Sequence, residues 1–382
     1  MDFNYTTEQK LLRESVVKFA RGELNHGVIE RDRDQTFSRE LWRHCATVGL
    51  LGLPAPEEYG GTNADPLTCA IALEALGYGC HDGGLVFSIC AHVLACVVPV
   101  WQHGSEAQER RYLGGLCDGT LVGAHAITEP DSGSDTFAMR LRAERAGSGW
   151  RLNGSKTFVS NGPVADVVVV FAVTDPEKGF HGGITAFLID GGLTGFSTGQ
   201  KFAKMGLRTS PVGELVFENA VVPEEAVLGT VGGGTNVFGT AMDWERSLLV
   251  AAHVGTIERL LETSIAYART RSQFGQTIGK FQAVAHKIAD MKVQLEAARL
   301  LVYRTASRLT VARSISLDAA ITKLFVSESL VKSALDAVQL HGGYGFMEEY
   351  EVERALRDAI GSTLYSGTSE MQRNIIGRWL GL

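Results

Sequence analysis

RLNGSKTFVSNG, from Arg151 to Gly162, and DVVVVFAV, from Asp166 to Val173, are the stretches that divide this chain into its parts. Both are rich in β-branched residues and end in turn residues, a pattern typical of β-strands. Two further runs of this kind, GITAFLID from Gly183 and GELVFENAVV from Gly213, extend the pattern. The sequence therefore predicts a β region from about residue 121 to residue 223.

The sequence on both sides of this region has helical periodicity. At the N-terminal side, Thr6 and Gln9 have the spacing of a capping box. After three consecutive glycines at 232–234, long amphipathic patterns predict helices of roughly 20 to 30 residues. We therefore predict an α+β protein, mainly α, with an N-terminal helical domain over 1–120, a middle β domain over 121–230 and a C-terminal helical domain over 231–382.

Two common nucleotide-binding motifs are excluded. GWRLNGSKT, from Gly149, resembles a phosphate-binding loop, but a serine stands between Gly154 and Lys156 and no helix is predicted to follow. Instead, Asn153-Gly154 between alternating residues predicts a type I′ hairpin. The glycine fingerprint of dinucleotide-binding Rossmann domains occurs nowhere, which argues against that fold.

Composition excludes several classes of function. The 382 residues carry a formal net charge of -7 and no long Lys/Arg run, so nucleic-acid binding is not expected. The 6 cysteines form no CxxC pair and no zinc-like cluster, and we interpret them as buried thiols with no metal site. The N-terminal sequence lacks a basic region ahead of an apolar core, so we expect a cytoplasmic protein.

The longest apolar stretch runs from Leu85 to Trp101 and is interrupted by Ser88, His92 and Pro99. It is shorter than the roughly 20 residues that a membrane span needs, so it predicts a buried helix and no membrane association. We interpret His92 as a core residue whose hydrogen bonds are satisfied within the protein.

The segment AHAITEPDSGSD, from Ala124 to Asp135, joins a predicted strand to a turn of small polar residues. Its backbone N–H groups and the hydroxyls of Thr128 and Ser134 can converge on a ligand, although alone it is an ordinary turn. Together with four later motifs, its order and spacing resemble the acyl-CoA dehydrogenases along essentially the whole chain. These motifs are KTFVSNG from Lys156, RSQFG from Arg271, QLHGGYGF from Gln339 and YSGTSEMQ from Tyr365.

The resemblance implies a helical N-terminal domain, a β-barrel or sandwich middle domain and a C-terminal four-helix bundle. It also implies FAD bound between these domains and a homotetramer. The implied flavin contacts are Ile127, Thr128, Ser134, Phe158 and Ser160. The implied contacts to the adenine and pyrophosphate end, partly serving a neighbouring subunit, are Arg271, Phe274, Gln339 and Gly343, with further FAD contacts at Thr368 and Glu370.

Simpler interpretations stand beside these implied roles. Phe158 and Ile127 would pack in a core, and Thr368 with Glu370 would form a helix N-cap with an acidic first turn. His125 stands where many members of the family carry tyrosine.

Two positions decide the chemistry. Ser366 stands where most of these enzymes carry their catalytic glutamate, and Glu245 stands where the isovaleryl and long-chain types carry it instead. The resemblance implies that Glu245 is the base and that the Ser366 backbone N–H polarises the thioester carbonyl. A carboxylate beside an apolar helix face is desolvated, which raises its pKa toward that of a useful base. The alternative is a solvated Glu245 paired with Arg246 or a lysine.

Details such as MDFNY at Met1, GYGCHDGGLVF at Gly77, WER at Trp244 and SGTS at Ser366 resemble prolyl-carrier-protein dehydrogenases of secondary metabolism. In that branch Arg246 would orient the pantetheine arm or the Glu245 carboxylate, and Ser134 would also contact substrate. The substrate is then an acyl thioester on a carrier protein or CoA, and the electron acceptor an electron-transferring flavoprotein or oxygen. Short- or branched-chain acyl-CoA dehydrogenation, a catalytically silent flavoprotein or carrier-binding scaffold, and oxygen chemistry remain alternatives.

Overall fold

The computed structural model describes residues 5–312 and 314–382. Its N-terminal part is helical, and the capping box of Thr6 and Gln9 is present at the start of the first helix. Short π-helical turns, Ala20–Leu24 and Val93–Val97, continue two of the helices. The helices are α1 (Thr7–Phe19), α2 (Val28–Asp34), α3 (Arg39–Thr47), α4 (Pro66–Gly79), α5 (Gly83–His92), α6 (Val98–His103) and α7 (Glu106–Cys117).

The middle part is one eight-stranded mixed sheet. Seven of its strands follow the order β6-β7-β3-β2-β4-β5-β8, and the eighth, β1, pairs in parallel with β4. Apolar side chains of β3, β4, β5 and β7 pack together in a buried cluster. The β-branched runs thus form strands, as predicted. The strands are β1 (Gly123–Ala126), β2 (Arg142–Ala146), β3 (Gly149–Ser160), β4 (Val167–Val173), β5 (Ile184–Asp190), β6 (Phe196–Lys201), β7 (Val212–Pro223) and β8 (Val227–Leu228).

The predicted hairpin at Asn153-Gly154 is wrong. Strand β3 continues through both residues, and Asn153 pairs with Arg142. Gly154, at φ +136°, instead marks an irregularity in the pairing with β7, and a Cβ there would lie 2.9 Å from Leu141 Cα. The turn lies earlier, between Ala146 and Gly149, because burial of Leu152 and Trp150 keeps β3 extended.

The C-terminal part is a helical bundle in which α10 packs against α8, α9 and α12. The amphipathic stripe of α9 is buried as predicted, with Met291, Leu295, Ala298 and Val302 at most 1% exposed. The elements are α8 (Gly234–Thr270), the hairpin β9 (Ser272–Gln273) and β10 (Gln276–Thr277), α9 (Gln282–Arg308), α10 (Ser316–His341), α11 (Glu351–Gly361) and α12 (Ser369–Trp379).

Helices α4 and α8 approach each other closely at two glycines. A Cβ at Gly77 would lie 2.0 Å from Ala252 O, and a Cβ at Gly255 would lie 2.0 Å from Glu74 O. Only glycine permits this backbone contact, which fixes α8 against the N-terminal helices. This contact therefore determines where the side chains of α8 are placed.

The continuous helical stretch Gly83–His103 has 21 residues and passes a length and hydropathy test for a membrane span, so it is longer than the sequence predicted. However, 94% of its most apolar window is buried inside the protein, which is the behaviour of a core helix. His92 is a satisfied core residue, as predicted: its ring nitrogens contact Leu116 O at 3.0 Å and Gly123 N at 2.8 Å. All six cysteines are buried free thiols.

Candidate active site

Glu245 lies on α8 and is only 8% exposed, so the alternative of a solvated carboxylate is wrong. Its Oε1 accepts a hydrogen bond of 2.5 Å from the Ser366 hydroxyl, which approaches from the segment between α11 and α12. The two positions that the sequence singled out therefore meet in space. The residue that replaces the usual base contacts the residue that we expect to act as base.

The backbone of the Ser366 segment is held by three side chains from separate parts of the C-terminal domain. Arg246 Nε donates to Ser366 O at 2.9 Å, and Gln372 Nε2 donates to Ser366 O at 3.2 Å. Gly367 O accepts hydrogen bonds of 2.8 Å from Gln372 and from Lys323 Nζ. Arg246 thus binds the loop rather than the Glu245 carboxylate.

Burial and the neighbouring groups of this cluster shift the pKa of the Glu245 carboxyl in opposite directions. Burial raises the pKa of Glu245, while the Ser366 hydroxyl and then the charges of Arg246 and Lys323 oppose that rise. Burial also lowers the pKa of Lys323 to about 8, helped by the charge of Arg246. A carboxylate with a raised pKa is suited to accept a proton from carbon.

An enclosed cavity adjoins Glu245. Leu249 and His253, which follow Glu245 on the same face of α8, line it together with Phe87 and Tyr365. The Tyr365 hydroxyl lies 2.8 Å from His253 Nε2, and the Phe87 ring packs 4.6 Å from the Tyr365 ring. The cavity thus lies one to two helical turns along α8 from the candidate base.

Two titratable groups on the cavity wall have strongly shifted pKa values. Burial lowers the pKa of His253 to about 3, with the charge of Lys323 as a second cause, so the imidazole is neutral at physiological pH. Burial raises the pKa of Asp358 to about 7, although the hydrogen bond that Leu207 N–H donates to its carboxylate favours the ionised form. The cavity wall therefore offers a neutral imidazole and a carboxyl group that is protonated in part of the molecules near neutral pH.

The residues predicted to contact the flavin ring come together beside the sheet. Thr157 N donates to Thr128 O at 2.8 Å, so the Ile127–Thr128 segment runs beside β3. Phe158 adopts φ +54°, lies at a register shift of β3 and is 65% exposed, which contradicts simple core packing for this residue. An open aromatic side chain beside exposed backbone suits a flat cofactor ring, and Ser160 follows on the same strand.

A buried ion pair supports this segment from beneath. Lys156 is fully buried, and its Nζ contacts Glu129 Oε1 at 2.7 Å and Ile127 O at 3.0 Å. Glu129 also accepts from the backbone N–H groups of Arg140 and Leu141, at 2.6 and 3.0 Å. Lys156 is therefore a structural residue, in agreement with the exclusion of a phosphate-binding loop.

His125 lies behind the same segment. Its ring packs 5.0 Å from Phe171 and stacks 6.4 Å from Phe238. Burial, and then the charge of Lys156, lower its pKa to about 4. Within residues 5–312 and 314–382 its Nε2 has no hydrogen-bond partner, so a polar group of a bound cofactor or substrate can satisfy it.

The remaining predicted cofactor residues lie elsewhere. Arg271 and Gly343 line an open groove at the far end of α8, while Gln339 is exposed near the end of α10. Phe274 protrudes from the β9–β10 hairpin and is 94% exposed. Ser134 is exposed in the turn after β1.

Thr368 caps α12, because its hydroxyl accepts from Met371 N at 3.3 Å. Glu370 lies exposed in the first turn of this helix. The simpler interpretation of Thr368 and Glu370 as a cap is thus confirmed, and their contacts to FAD stay a prediction.

Sequence reasoning missed three residues of the site. Lys323 is 1% exposed, and its place within the apolar periodicity of α10 was the signal that it is buried. Asp243 lies beside Arg246 on α8, and burial raises its pKa to about 6. Gln372 is buried at the start of α12, and no local pattern pointed to its role. No group of three or more potential metal ligands occurs in the described part of the chain.

Family models match nearly the whole chain. The acyl-CoA dehydrogenase N-terminal domain matches residues 6–120, the acyl-CoA dehydrogenase middle domain matches residues 124–220, and the acyl-CoA dehydrogenase C-terminal domain matches residues 232–381.

Individual proteins are similar over their full length. An L-prolyl-[peptidyl-carrier protein] dehydrogenase of Serratia sp. (strain ATCC 39006) is 40% identical over 382 residues, which is 100% of this chain and 99% of the relative. A short-chain-specific acyl-CoA dehydrogenase of Megasphaera elsdenii is 39% identical over 99% of this chain and 99% of the relative. The solved structure of PigA with FAD and proline has a TM-score of 0.97 at 40% identity, with 100% of both chains covered.

Proposed function

This chain belongs to the acyl-CoA dehydrogenase family, and we propose that it is an FAD-dependent dehydrogenase of a prolyl thioester held on a carrier protein. The observation that carries the proposal is the buried carboxylate of Glu245 against Ser366, beside a mainly apolar cavity that includes His253 and Tyr365. The prolyl-carrier-protein dehydrogenase of Serratia and the PigA structure with proline support the choice of substrate. The product is a pyrrolyl thioester for secondary metabolism, which requires two successive two-electron oxidations of the ring.

Glu245 accepts the α-proton of the thioester. This proton is weakly acidic, and a desolvated carboxylate with a raised pKa is a stronger base than one in water. The Ser366 N–H donates to the thioester carbonyl and stabilises the charge that develops there. Within residues 5–312 and 314–382 no backbone carbonyl accepts from this N–H, so it is available for that role.

FAD, when bound, supplies the two-electron acceptor for the hydride that leaves the substrate. Ile127, Thr128, Phe158 and Ser160 hold the flavin face in this proposal, with Ser134 nearby on the substrate side. In this proposal Arg246 and Ser134 contact the pantetheine arm. Arg246 lies directly beside the base, and only its Nε donates to Ser366 O. Thr368 and Glu370 bind FAD at the start of α12.

We also propose a homotetramer in which one subunit completes the FAD site of another. Glu245 and Thr270 lie 25 positions apart on the uninterrupted helix α8, a separation of about 37 Å, so the groove at Arg271 lies far from the base of the same chain. Arg271, Phe274, Gln339 and Gly343 therefore bind the cofactor of a neighbouring subunit. The 94% exposure of Phe274 and the 80% exposure of Phe346 support an interface at this end.

The principal alternative is a short- or branched-chain acyl-CoA dehydrogenase. The Megasphaera relative, at 39% identity, supports it almost as well as the prolyl relative does, and Glu245 serves equally well as base. We propose a cytoplasmic enzyme in either case. The reduced flavin passes its electrons to an electron-transferring flavoprotein or to oxygen, and the rate of reoxidation with each acceptor separates the two.

The test is anaerobic reduction of the bound flavin by matched prolyl-carrier-protein, isovaleryl-CoA and butyryl-CoA thioesters. The carrier-bound prolyl group should bleach the flavin fastest, and Glu245→Gln should slow bleaching by at least ~10². Glu262→Gln is the matched control, because Glu262 is an exposed carboxylate on the same helix.

The outcomes separate the alternatives. Faster bleaching by a CoA thioester moves the enzyme to acyl-CoA metabolism, and product mass with an added oxygen indicates oxygen chemistry. If Glu245→Gln changes nothing with any thioester, the assignment of the base is wrong and the silent flavoprotein gains support.

A further inference from the structure

The Ser366 hydroxyl is directed at the carboxylate of Glu245. In residues 5–312 and 314–382 it is the hydrogen-bond donor to that carboxylate, at 2.5 Å from Oε1, and Oε2 accepts no hydrogen bond there. A short hydrogen bond to an ionised acceptor is stronger than one between neutral groups. One carboxylate oxygen is thus fixed while the other stays available.

Ser366 is held in an unfavourable backbone conformation. Its φ is +56°, a region that is strained for a residue with a side chain and persists only where the surroundings impose it. Arg246, Gln372 and Lys323 impose it by binding the carbonyls of Ser366 and Gly367. These contacts determine the direction of the Ser366 side chain as well as that of its N–H.

We propose that Ser366 is a positioning residue whose hydroxyl orients the Glu245 carboxylate and stabilises its ionised form before proton transfer. This inference rests on the proposed role of Glu245 as base. The serine that stands in place of the usual glutamate thereby acts at the reaction centre through its side chain as well as its backbone.

Other groups around Glu245 act in different directions. Arg246, next on α8, and Lys323, from α10, favour the carboxylate through their charge. Cys90, from α5, and Tyr365 are uncharged neighbours. Burial is the main cause that raises their pKa values, and the negative charge of Glu245 raises them further. Burial raises the pKa of Glu245, whereas the two cations and the Ser366 hydroxyl lower it. Among these groups, the Ser366 hydroxyl lowers it most.

Removal of the hydroxyl should therefore leave a base that is stronger but more often protonated. Ser366→Ala keeps the backbone N–H for the thioester carbonyl and takes away only the donor to Oε1. We expect slower flavin reduction at low pH, where Glu245 is protonated in a larger fraction of molecules. At high pH the rate should recover, because the carboxylate is then ionised in both proteins.

The experiment measures the rate of anaerobic flavin reduction across pH for wild type, Ser366→Ala, Ser366→Gly and Ser369→Ala. The apparent pKa of the acid limb should rise by about one unit in the first two variants, with a rate about 10-fold lower on that limb and a retained alkaline plateau. Glycine relieves the strain of the positive φ and alanine does not, so equal shifts identify the hydroxyl as the cause. Ser369 is a buried serine nearby, and its variant should keep the wild-type profile.

A readout without cofactor completes the test. Infrared difference titration of the apoprotein against Glu245→Gln follows the Glu245 carboxyl band, and the titration should move to higher pH in Ser366→Ala. An unshifted acid limb together with an unshifted band in Ser366→Ala would overturn the positioning role. If Glu245→Gln itself retains flavin reduction, the proposed base fails instead, so the two failures are distinguishable.

Discussion

His253 Nε2 lies 2.8 Å from the hydroxyl of Tyr365, on the wall of the cavity that adjoins the base. His253 follows Glu245 by two helical turns, and Tyr365 directly precedes Ser366. The low pKa of His253, about 3, keeps this pair neutral. A neutral donor and acceptor can bind the ring nitrogen of a prolyl group, whereas an all-carbon acyl chain gives them no partner.

Tyr365→Phe should therefore change substrate preference more than catalysis. We expect the rate of flavin reduction by prolyl thioester to fall about 10-fold relative to that by cyclopentanecarbonyl thioester, since one buried hydrogen bond is lost. The ratio of the two rates is the measurement, and Tyr78→Phe, which removes a hydroxyl bound to the exposed Glu262 at 2.7 Å, is the control. Equal losses with both thioesters would show that Tyr365 does not select the ring nitrogen.

The class of fold could be predicted because the periodicities are regular and local. The runs at Asp166 and Gly183 are short, continuous and mostly apolar and form strands buried on both faces of the sheet, and the stripe from Met291 to Val302 repeats with helical spacing. The prediction of a turn at Asn153-Gly154 was wrong. The turn preference of this dipeptide is local, whereas the course of β3 is set by the packing of Leu152 and by pairing with β7. Tertiary packing overrode a strong turn signal there.

The site could be predicted only in part. Glu245 and Ser366 were found because resemblance assigned both positions, although 121 residues separate them. The contact of Lys323 with Gly367 spans 44 residues and follows no local rule, so it required the structure. The hydrogen bond between the two key side chains was likewise beyond sequence reasoning, since it depends on the positive φ of Ser366.

Asp358 should make stability depend on pH. Its pKa is about 7 in the folded protein and lower when unfolded, so between these values the folded state retains a proton that the unfolded state releases. The free energy of unfolding therefore falls as pH rises from about 4 to about 7. Asp358→Asn keeps an oxygen for the Leu207 N–H and should remove this decline, gaining roughly 2–4 kcal/mol above neutral pH and little at low pH.

Urea unfolding of wild type and Asp358→Asn at several pH values measures this effect. Asp34→Asn, at an exposed aspartate at the end of α2, provides the control. A constant difference between wild type and Asp358→Asn across the whole range would contradict the raised pKa.

Lys156→Met should be strongly destabilising. It leaves the carboxylate of Glu129 buried without its cation, a change that costs about 3–5 kcal/mol. The double variant Lys156→Met/Glu129→Gln should recover part of the loss, because no unpaired charge remains. Unfolding midpoints in urea report both, with Lys178→Met, whose side chain is 65% exposed, expected to stay within about 1 kcal/mol of wild type. A double variant less stable than Lys156→Met would argue that packing, not charge, dominates.

The close contact of α4 with α8 predicts opposite effects for two glycines of the same helix. Gly255→Ala places a Cβ 2.0 Å from Glu74 O, so the helices must separate, at a cost of about 1–3 kcal/mol or more. Gly239→Ala meets nothing within 4 Å and should stabilise α8 by roughly 0.5–1 kcal/mol, because alanine loses less backbone entropy in a helix. Since α8 also carries Glu245, Gly255→Ala should additionally slow flavin reduction, whereas Gly239→Ala should leave it unchanged. Urea unfolding and flavin reduction of the two variants test this, and a neutral Gly255→Ala would mean that the α4–α8 contact does not fix the position of the base.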